Sequence, residues 1–435
     1  MNILAIDVGT SSVKSAVLAR DRGEPLGAIA RAGYELDHPT PEAAEIAPRQ
    51  LWDAVTAAAR QAVAGAGGAH VAGVGLAGLT PALVLLGAGD EPLTPIWTHL
   101  DRRSRALAKR IDAEVGVRFL EAAGTRPLPG GISALCFARQ VQDDPGLRDR
   151  VRAYLHLNGW LAFRMTGVRA FDPANASFSG LWGTLTDRKW SPEWCDYFGV
   201  DPAWLPEVRD GRATVGGLRK EVAEEWGVPA GLPVKLGTAD TSSSILAAGM
   251  GPGDMLHSVG TTQVLARLVK DPRPDPRRLT RHLGVGDAFV YVTHNPVGGV
   301  ALQWIYHLCF RDQKEGDFYR RTVPEAMGRR TRVRLDPPFL GGDRLEIEER
   351  LASFRRLTLS TDRMDLLAAL LAAMREGHYA AYAALDWGNG PAGTVYLTGG
   401  GAELVKRLIP EYGAADVKLM QRGSLRGVAK LFEGE

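Results

Sequence analysis

Cysteine is scarce, with only Cys136, Cys195 and Cys309 among 435 residues. Their wide spacing offers neither a disulfide framework nor a zinc pattern, so reduced, structural thiols in a cytoplasmic protein are expected. An excess of one charge is lacking as well. The formal net charge is +2, too balanced to argue for nucleic acid or a membrane surface as a partner. No run approaches the apolar length of a membrane span, and the chain opens directly into a strand, so no leader peptide is expected. His38, His257, His294, His307 and His378 show no ligand spacing, which argues against a histidine-held metal.

What is present describes a globular chain: 45% hydrophobic, 23% charged, with 51 glycines and 26 prolines for tight turns. The length exceeds one ordinary core, and two domains are expected, 1–240 and 241–435. The segment that organises the rest is residues 3–18, ILAIDVGTSSVKSAVL. An apolar run (Ile3, Leu4, Ala5, Ile6) reads as a buried strand, Asp7 falls near its end, and Gly9, Thr10, Ser11 and Ser12 make a tight turn into a returning strand. Backbone donors in such a turn can cradle phosphate oxygens, and the carboxylate can hold hydrated Mg²⁺, so the segment suits a magnesium-nucleotide. A plain hairpin with a polar turn is the alternative. Recurrence favours the former. Residues 255–265, MLHSVGTTQVL, repeat the strand, the Gly-Thr turn (Gly260, Thr261, Thr262) and the return, which points to a duplicated fold with phosphates between the copies.

Between these landmarks the spacing predicts a helix over 45–64, with Trp52, Val55, Ala59 and Val63 on one face. A strand is expected over 72–79, with 82–86 as its antiparallel partner. Gly73, Gly75 and Gly78 match GxGxxG literally. They lack the strand before and the helix after that a dinucleotide site requires. Helices are expected at 102–111, 147–166, 191–198 (capped by Ser191) and 218–226, and a polar loop at 171–185. A strand at 234–238 leads to Asp240, at the N-cap of a helix over 240–249. Its bland reading is a capping residue, and its functional reading a carboxylate facing a cleft. A solvated loop is expected over 271–281, a strand at 289–293 and helices at 298–308 and 363–385. A strand at 394–397 ends in Gly399, Gly400 and Gly401. That run opens a helix, where an adenosine could approach the backbone closely. Trp52, Trp160 and Trp304 are read as core.

Taken in order, these blocks resemble the FGGY carbohydrate kinases, relatives of actin, Hsp70 and hexokinase. IDVGTSSVK is similar to that family's first phosphate segment. THLDRRS (98–104) is similar to its T-W-x-D-x-R-S, with His99 in place of Trp. LNGWLAFRMTG, FDPANAS, WSPEW, LPEV, PAGLPVKLGTADTSSSILAAGM, SVGTTQV and the 397–403 run follow in family order. The resemblance implies an α/β fold of two ribonuclease H-like (actin-like ATPase) domains around a central cleft, the first binding sugar and the second nucleotide. It implies ATP and Mg²⁺ as cofactors and a free sugar, most simply a ketose such as xylulose or a related polyol, as acceptor. Asp240 matches the general base. Asp7 matches the magnesium-organising acid. Gly9, Thr10, Ser11, Ser12, Gly260, Thr261 and Thr262 match phosphate contacts, and Gly400, Gly401 and Ala402 line the adenosine. Thr80, Asp101, Arg103, Asp172 and Asn175 are candidate sugar contacts, although Asp101 and Arg103 could equally pair with each other. Lys14 is read as a phosphate-side cation or a strand-end lysine. The chain departs from the family elsewhere too: a lysine that the family usually carries is absent around Leu135 and Cys136. Residues 77–82 read AGLTPA where many xylulose kinases carry S-G-Q-M-H-G, Gly159 stands for an aspartate, and 341–345 read GGDRL for G-E-R-x-P. A nucleotide-driven scaffold and a non-catalytic sugar sensor are the competing functions. Oligomeric state is not legible, and a homodimer stays open.

Overall fold

The computed structural model describes residues 2–19, 21, 23–260, 263–338, 345–385, 393–409, 416–420 and 423–433. Thr261, Thr262 and the departure at 341–344 lie outside the described residues.

Two large sheets share one topology. In the first, Asn2–Val8 is central. It pairs antiparallel with Ser12–Ala19 on one side, setting Asp7 opposite Lys14, and parallel with Val71–Gly78 on the other. Pro233–Ala239 adds in parallel beyond Val71–Gly78, and Ala30–Gly33 adds antiparallel beyond Ser12–Ala19. In the second, Met255–Val259 is central. It has Gln263–Val269 antiparallel on one side, continued by Phe289–Asn295, and Val395–Thr398 then Val417–Met420 in parallel on the other. In each sheet the central strand is followed next in sequence by its antiparallel neighbour. The first central strand is apolar on both faces because both faces are covered, as parallel layers require; Ile3, Leu4, Ala5, Ile6 and Val8 are all fully buried.

A four-stranded sheet, in the order Glu45–Ile46, Ile96–Thr98, Ala82–Leu86, Ala153–His156, sits beside the first large sheet. Here the expected pairing of 82–86 with 72–79 is corrected. Ala82–Leu86 is buried at every residue and lies between two other strands, and its ladder runs to Ile96–Thr98 and Ala153–His156. Other boundaries shift for local reasons. The first helix begins at Pro48, whose fixed φ and missing N–H suit the first helical position, and residues 45–46 are strand. The expected helix over 147–166 is instead a short helix, Leu147–Arg150, the buried strand Ala153–His156 and the helix Leu157–Thr166. The helix expected at 102–111 runs over Arg105–Ala123, and Ser133–Asp143 is a further helix. The 271–281 stretch is not wholly solvated. Leu279–His282 is a strand, and Arg278 and Arg281 are buried. Trp52 and Trp160 are core, whereas Trp304 is 41% exposed against Phe354. Ser191 caps Pro192–Phe198 as expected, accepting from the Trp194 N–H.

The terminal helix Gly423–Lys430 follows the last strand of the second sheet but packs on the first. Val428, Leu431 and Phe432 cover Ile3, Ala5 and Ala77. Burying such side chains contributes roughly 1.5–3 kcal/mol each. The same contact explains the GxGxxG match. A Cβ at Gly73 would stand 2.6 Å from the Phe432 ring and one at Gly75 2.6 Å from Val428 Cγ1. These glycines admit a helix, not a dinucleotide. The helix also crosses Asp240–Ala248, with Gly427 against the Ser243 carbonyl. The helices that close the two halves thus meet between them.

Candidate functional site

Two cavities lie along this junction. The smaller, about 220 Å³, takes walls from both halves: Thr10, Thr80, His99 and Asp240 from the first, Ser258, Arg281 and His294 from the second. The larger, about 750 Å³, lies in the second half and is lined by Gly260, Gln263, Gln303, Tyr319, Gly400 and Gly401, among others. They approach each other at the end of the Met255–Val259 strand, where Ser258 faces the first cavity and Val259 and Gly260 the second. A chain of phosphates running past Gly260 would deliver its end to the wall that holds Asp240.

Asp240 is the first residue of its helix, one position inside the expected cap; Ala239 occupies the N-cap. Its Oδ1 accepts from the Thr241 N–H (2.6 Å) and the Thr241 hydroxyl (3.1 Å).

Asp7 is 3% exposed at the end of the first strand. The Ser424 hydroxyl, from the terminal helix, donates to its Oδ2 (2.6 Å), and Lys14 Nζ stands 3.8 Å away. Burial is the main force on this carboxyl and raises its pKa to about 6. The Ser424 bond and Lys14 oppose the rise, and the charge of Asp240 adds to it. Lys14 is thus a partner of Asp7 and does not line either cavity. No cluster of three or more metal-binding side chains occurs among the described residues. A magnesium ion held largely by phosphate oxygens and water needs only one or two carboxylates, and Asp7 with Asp240 nearby fits that donor set.

The turn between the first two strands is shaped by a Gly9 N–H to Ser12 carbonyl bond (3.0 Å). The Tyr34 hydroxyl closes on the Gly9 carbonyl, and the Tyr34 N–H reaches the Ser11 carbonyl. Thr10 is the member of this turn that lines the smaller cavity. Around the larger cavity Gly399 has φ +97°, a conformation that glycine tolerates, and its position is closed in by the Val259 backbone. A Cβ at Gly401 would lie 2.7 Å from Val259 Cγ1. Ala402 starts the helix behind them and is buried.

Behind the smaller cavity stands a polar chain. The Thr80 hydroxyl donates to Asn175 Oδ1 (2.6 Å), which also receives His156 Nδ1 (3.1 Å). The Asn175 amide donates to Asp172 Oδ2, and the Thr238 hydroxyl donates to Asp172 Oδ1 (2.9 Å). His156 Nε2 meets the Ser133 hydroxyl (2.6 Å), itself 2.6 Å from the Tyr154 hydroxyl. Burial raises the Asp172 carboxyl to about 6 and lowers the His156 imidazole to about 3. A neutral imidazole donating from Nδ1 and accepting at Nε2 satisfies every partner. Of the expected sugar contacts, Thr80 and Asp240 line the cavity, while Asp172 and Asn175 stand one layer back and orient Thr80. Asp101 and Arg103 lie elsewhere. Asp101 is fully buried and bonded to Arg103 Nη2 (2.6 Å) and the Ala44 N–H (3.0 Å). Arg103 also grips Glu45 (2.6 Å) and stacks on Trp97. Neither lines the cavity, so the pairing alternative is the arrangement observed. Gly159 has no room for the family's aspartate, because its Cβ would collide with the Ala170 carbonyl.

Sequence reading missed Ser424, Tyr34, Arg281 and His294. Leu279–His282 carries no alternating signal, since Thr280, Arg281 and His282 are all polar. His99 stood out only as a replacement for tryptophan, not as a cavity wall.

Two repeated α/β halves, with a glycine-rich nucleotide-sized cavity opening toward a carboxylate, define a two-domain actin-like ATPase fold. Residues 2–247 match the N-terminal domain of the FGGY family of carbohydrate kinases, and the chain belongs to that family. It is 28% identical over 282 residues to the xylulose kinase of Streptomyces rubiginosus, covering 63% of this chain and 56% of that one. It is 30% identical over 278 residues to the erythritol kinase of Brucella abortus, covering 61% and 52%. The matched region thus spans about half the length of these relatives. The fold superposes on the ligand-bound xylulose kinase of Lactobacillus acidophilus with a TM-score of 0.87 at 18% identity, covering 99% of this chain and 88% of that one.

Proposed function

We propose that the chain transfers the γ-phosphoryl group of ATP to a hydroxyl of a free sugar or polyol. In this reading residues 1–240 supply the acceptor wall and the first phosphate turn, and 241–435 the nucleotide cavity. The observation that carries it is that Asp240, Thr10 and Ser258 face one cavity, which sets a base between the ends of two phosphate turns.

The chemistry then asks little beyond position and charge. Asp240 accepts the proton of the acceptor hydroxyl. The oxygen forms a bond to the γ-phosphorus as the bond to the β-phosphate oxygen breaks, and ADP leaves. Thr10 and the Gly9–Ser12 turn hold phosphate oxygens from one side, and Gly260 from the other. Asp7 would hold a hydrated Mg²⁺, which when bound neutralises charge on the phosphates. Gly400 and Gly401 leave the backbone open to adenosine, and Thr80, set by Asn175, orients an acceptor hydroxyl.

ADP release measured across a panel of ketoses, alditols and aldonates tests the reading. Acceptor-dependent release is expected, and Asp240→Asn should lower it by about 10²–10⁴-fold, the range for a general base, while MgATP still binds. Near-normal turnover in Asp240→Asn would refute the base. ADP release indifferent to every acceptor would point to a scaffold ATPase.

A further inference from the structure

Arg281 lines the smaller cavity together with Asp240, yet it is 1% exposed. Its Nη1 donates to the Ser242 hydroxyl (2.5 Å) and the His282 carbonyl (3.2 Å). Its Nη2 has no hydrogen-bond partner. Among the described residues no carboxylate is within ion-pair distance of it. Asp240 and Asp172 act on it only through longer-range attraction, and Phe178, another cavity wall, lies 5.6 Å below its guanidinium. A buried cation without a carboxylate is costly to keep, and a stability role would be served better by an apolar side chain. Its neighbours also exclude two structural explanations. Asp172 is already saturated by Thr238, Asn175 and its own helix N-terminus. Asp240 is occupied by Thr241. What remains unfilled is Nη2 of the guanidinium.

A neutral hydroxyl could accept a hydrogen bond from Nη2 but would leave the charge uncompensated. A carboxylate both accepts from Nη2 and neutralises the buried charge. The rest of the cavity suits the remainder of such a molecule. Leu79, Pro81 and Val264 offer apolar walls, and Thr80 and His99 polar ones, within about 220 Å³.

Resting on the kinase reading above, we infer that the acceptor is a sugar acid, with Arg281 the residue that grips its carboxylate while a hydroxyl faces Asp240.

Matched pairs of equal carbon number test this: ribonate against ribitol, and gluconate against glucitol. In the wild-type protein the carboxylate should be favoured at least tenfold in kcat/KM. Arg281→Gln should reduce that preference by about 10- to 100-fold, the range for losing a charged hydrogen bond. Arg281→Lys, which keeps the charge but not the fork, should fall between. Calorimetric titration with the same four compounds reads binding without turnover. A sugar acid that binds more tightly than its alditol supports the inference even if no ADP forms, an outcome that would count against the kinase reading alone. Equal or better binding and turnover of the alditols by the wild-type protein overturns the inference and leaves the kinase reading standing. So does a preference that Arg281→Gln leaves intact.

Discussion

Replacing Ser424 by alanine isolates the link between the terminal helix and Asp7. The hydroxyl donates to a carboxylate that is 3% exposed and whose pKa is already raised to about 6 by burial. The bond favours the charged form, so its loss must raise the pKa further. A hydrogen bond to a charged group contributes roughly 1.5–3 kcal/mol, and one pKa unit corresponds to about 1.4 kcal/mol, so the carboxyl should move to about 7–8. In the proposed reaction Asp7 is ionised to hold the cation, and the acid limb of kcat/KM for MgATP reports the free protein. That limb should shift upward by about one to two units. Near pH 6.5 the ionised fraction of Asp7 would fall about 3- to 25-fold, while near pH 9 variant and wild type should converge. The assay is acceptor-dependent ADP release over pH 5.5–9.5, with ¹³C-carboxyl NMR following Asp7 directly. An acid limb that stays in place, or a loss uniform across pH, would refute the reasoning. A merely structural role for Ser424 predicts such a uniform loss.

Two further predictions concern stability. Gly75→Ala puts a methyl 2.6 Å from Val428 Cγ1 and 3.1 Å from the Phe432 ring. It should cost about 1–3 kcal/mol by overpacking and lower the thermal midpoint, and an unchanged midpoint would show that the terminal helix is not clamped on the sheet. The second is acid sensitivity. Burial lowers His156 and His257 to about 3. Between pH 6.5 and 3 the unfolded chain therefore binds protons that the folded chain refuses, and stability falls as pH falls. Asp7 and Asp172, raised to about 6, work in the opposite direction, since the folded chain binds their protons first between about pH 6 and 3.8. The histidine window is the wider of the two. The thermal midpoint should drop from pH 7 to pH 4, and a rise over that range would contradict the balance.

Local chemistry was readable wherever contiguous residues carry it. A strand, a carboxylate and a glycine-hydroxyl turn describe residues 3–18 without reference to anything distant, and their recurrence at 255–265 announced the duplication that the two sheets display. Asp240 and the Gly399–Gly401 run were legible for the same reason, because a strand-to-helix junction states its backbone needs in the residues that form it. Segments whose meaning depends on a remote partner were misread. The run ALVLL at 82–86 looks like half of a hairpin until it is buried between strands from 96–98 and 153–156. Gly73 and Gly75 match a nucleotide motif that their flanking residues already reject, and only Val428 and Phe432, more than 350 residues later, account for them.

The amino-acid order by itself determined the local turns and helix ends on which the candidate residues sit, since turn geometry and helix-end fields act over a few residues. Tertiary structure alone decided what surrounds them. Arg281 in a Pro/Arg-rich stretch has the composition of a solvated loop, and only the closing of the second sheet over Phe178 turns it into a buried cation on the cavity that Asp240 also lines. Asp101 and Arg103, equally plausible as sugar contacts in the chain, are drawn into a buried pair by Ala44, Glu45 and Trp97. Burial depends on segments hundreds of residues apart, and it sets both the charge a side chain can bear and the partner it must find.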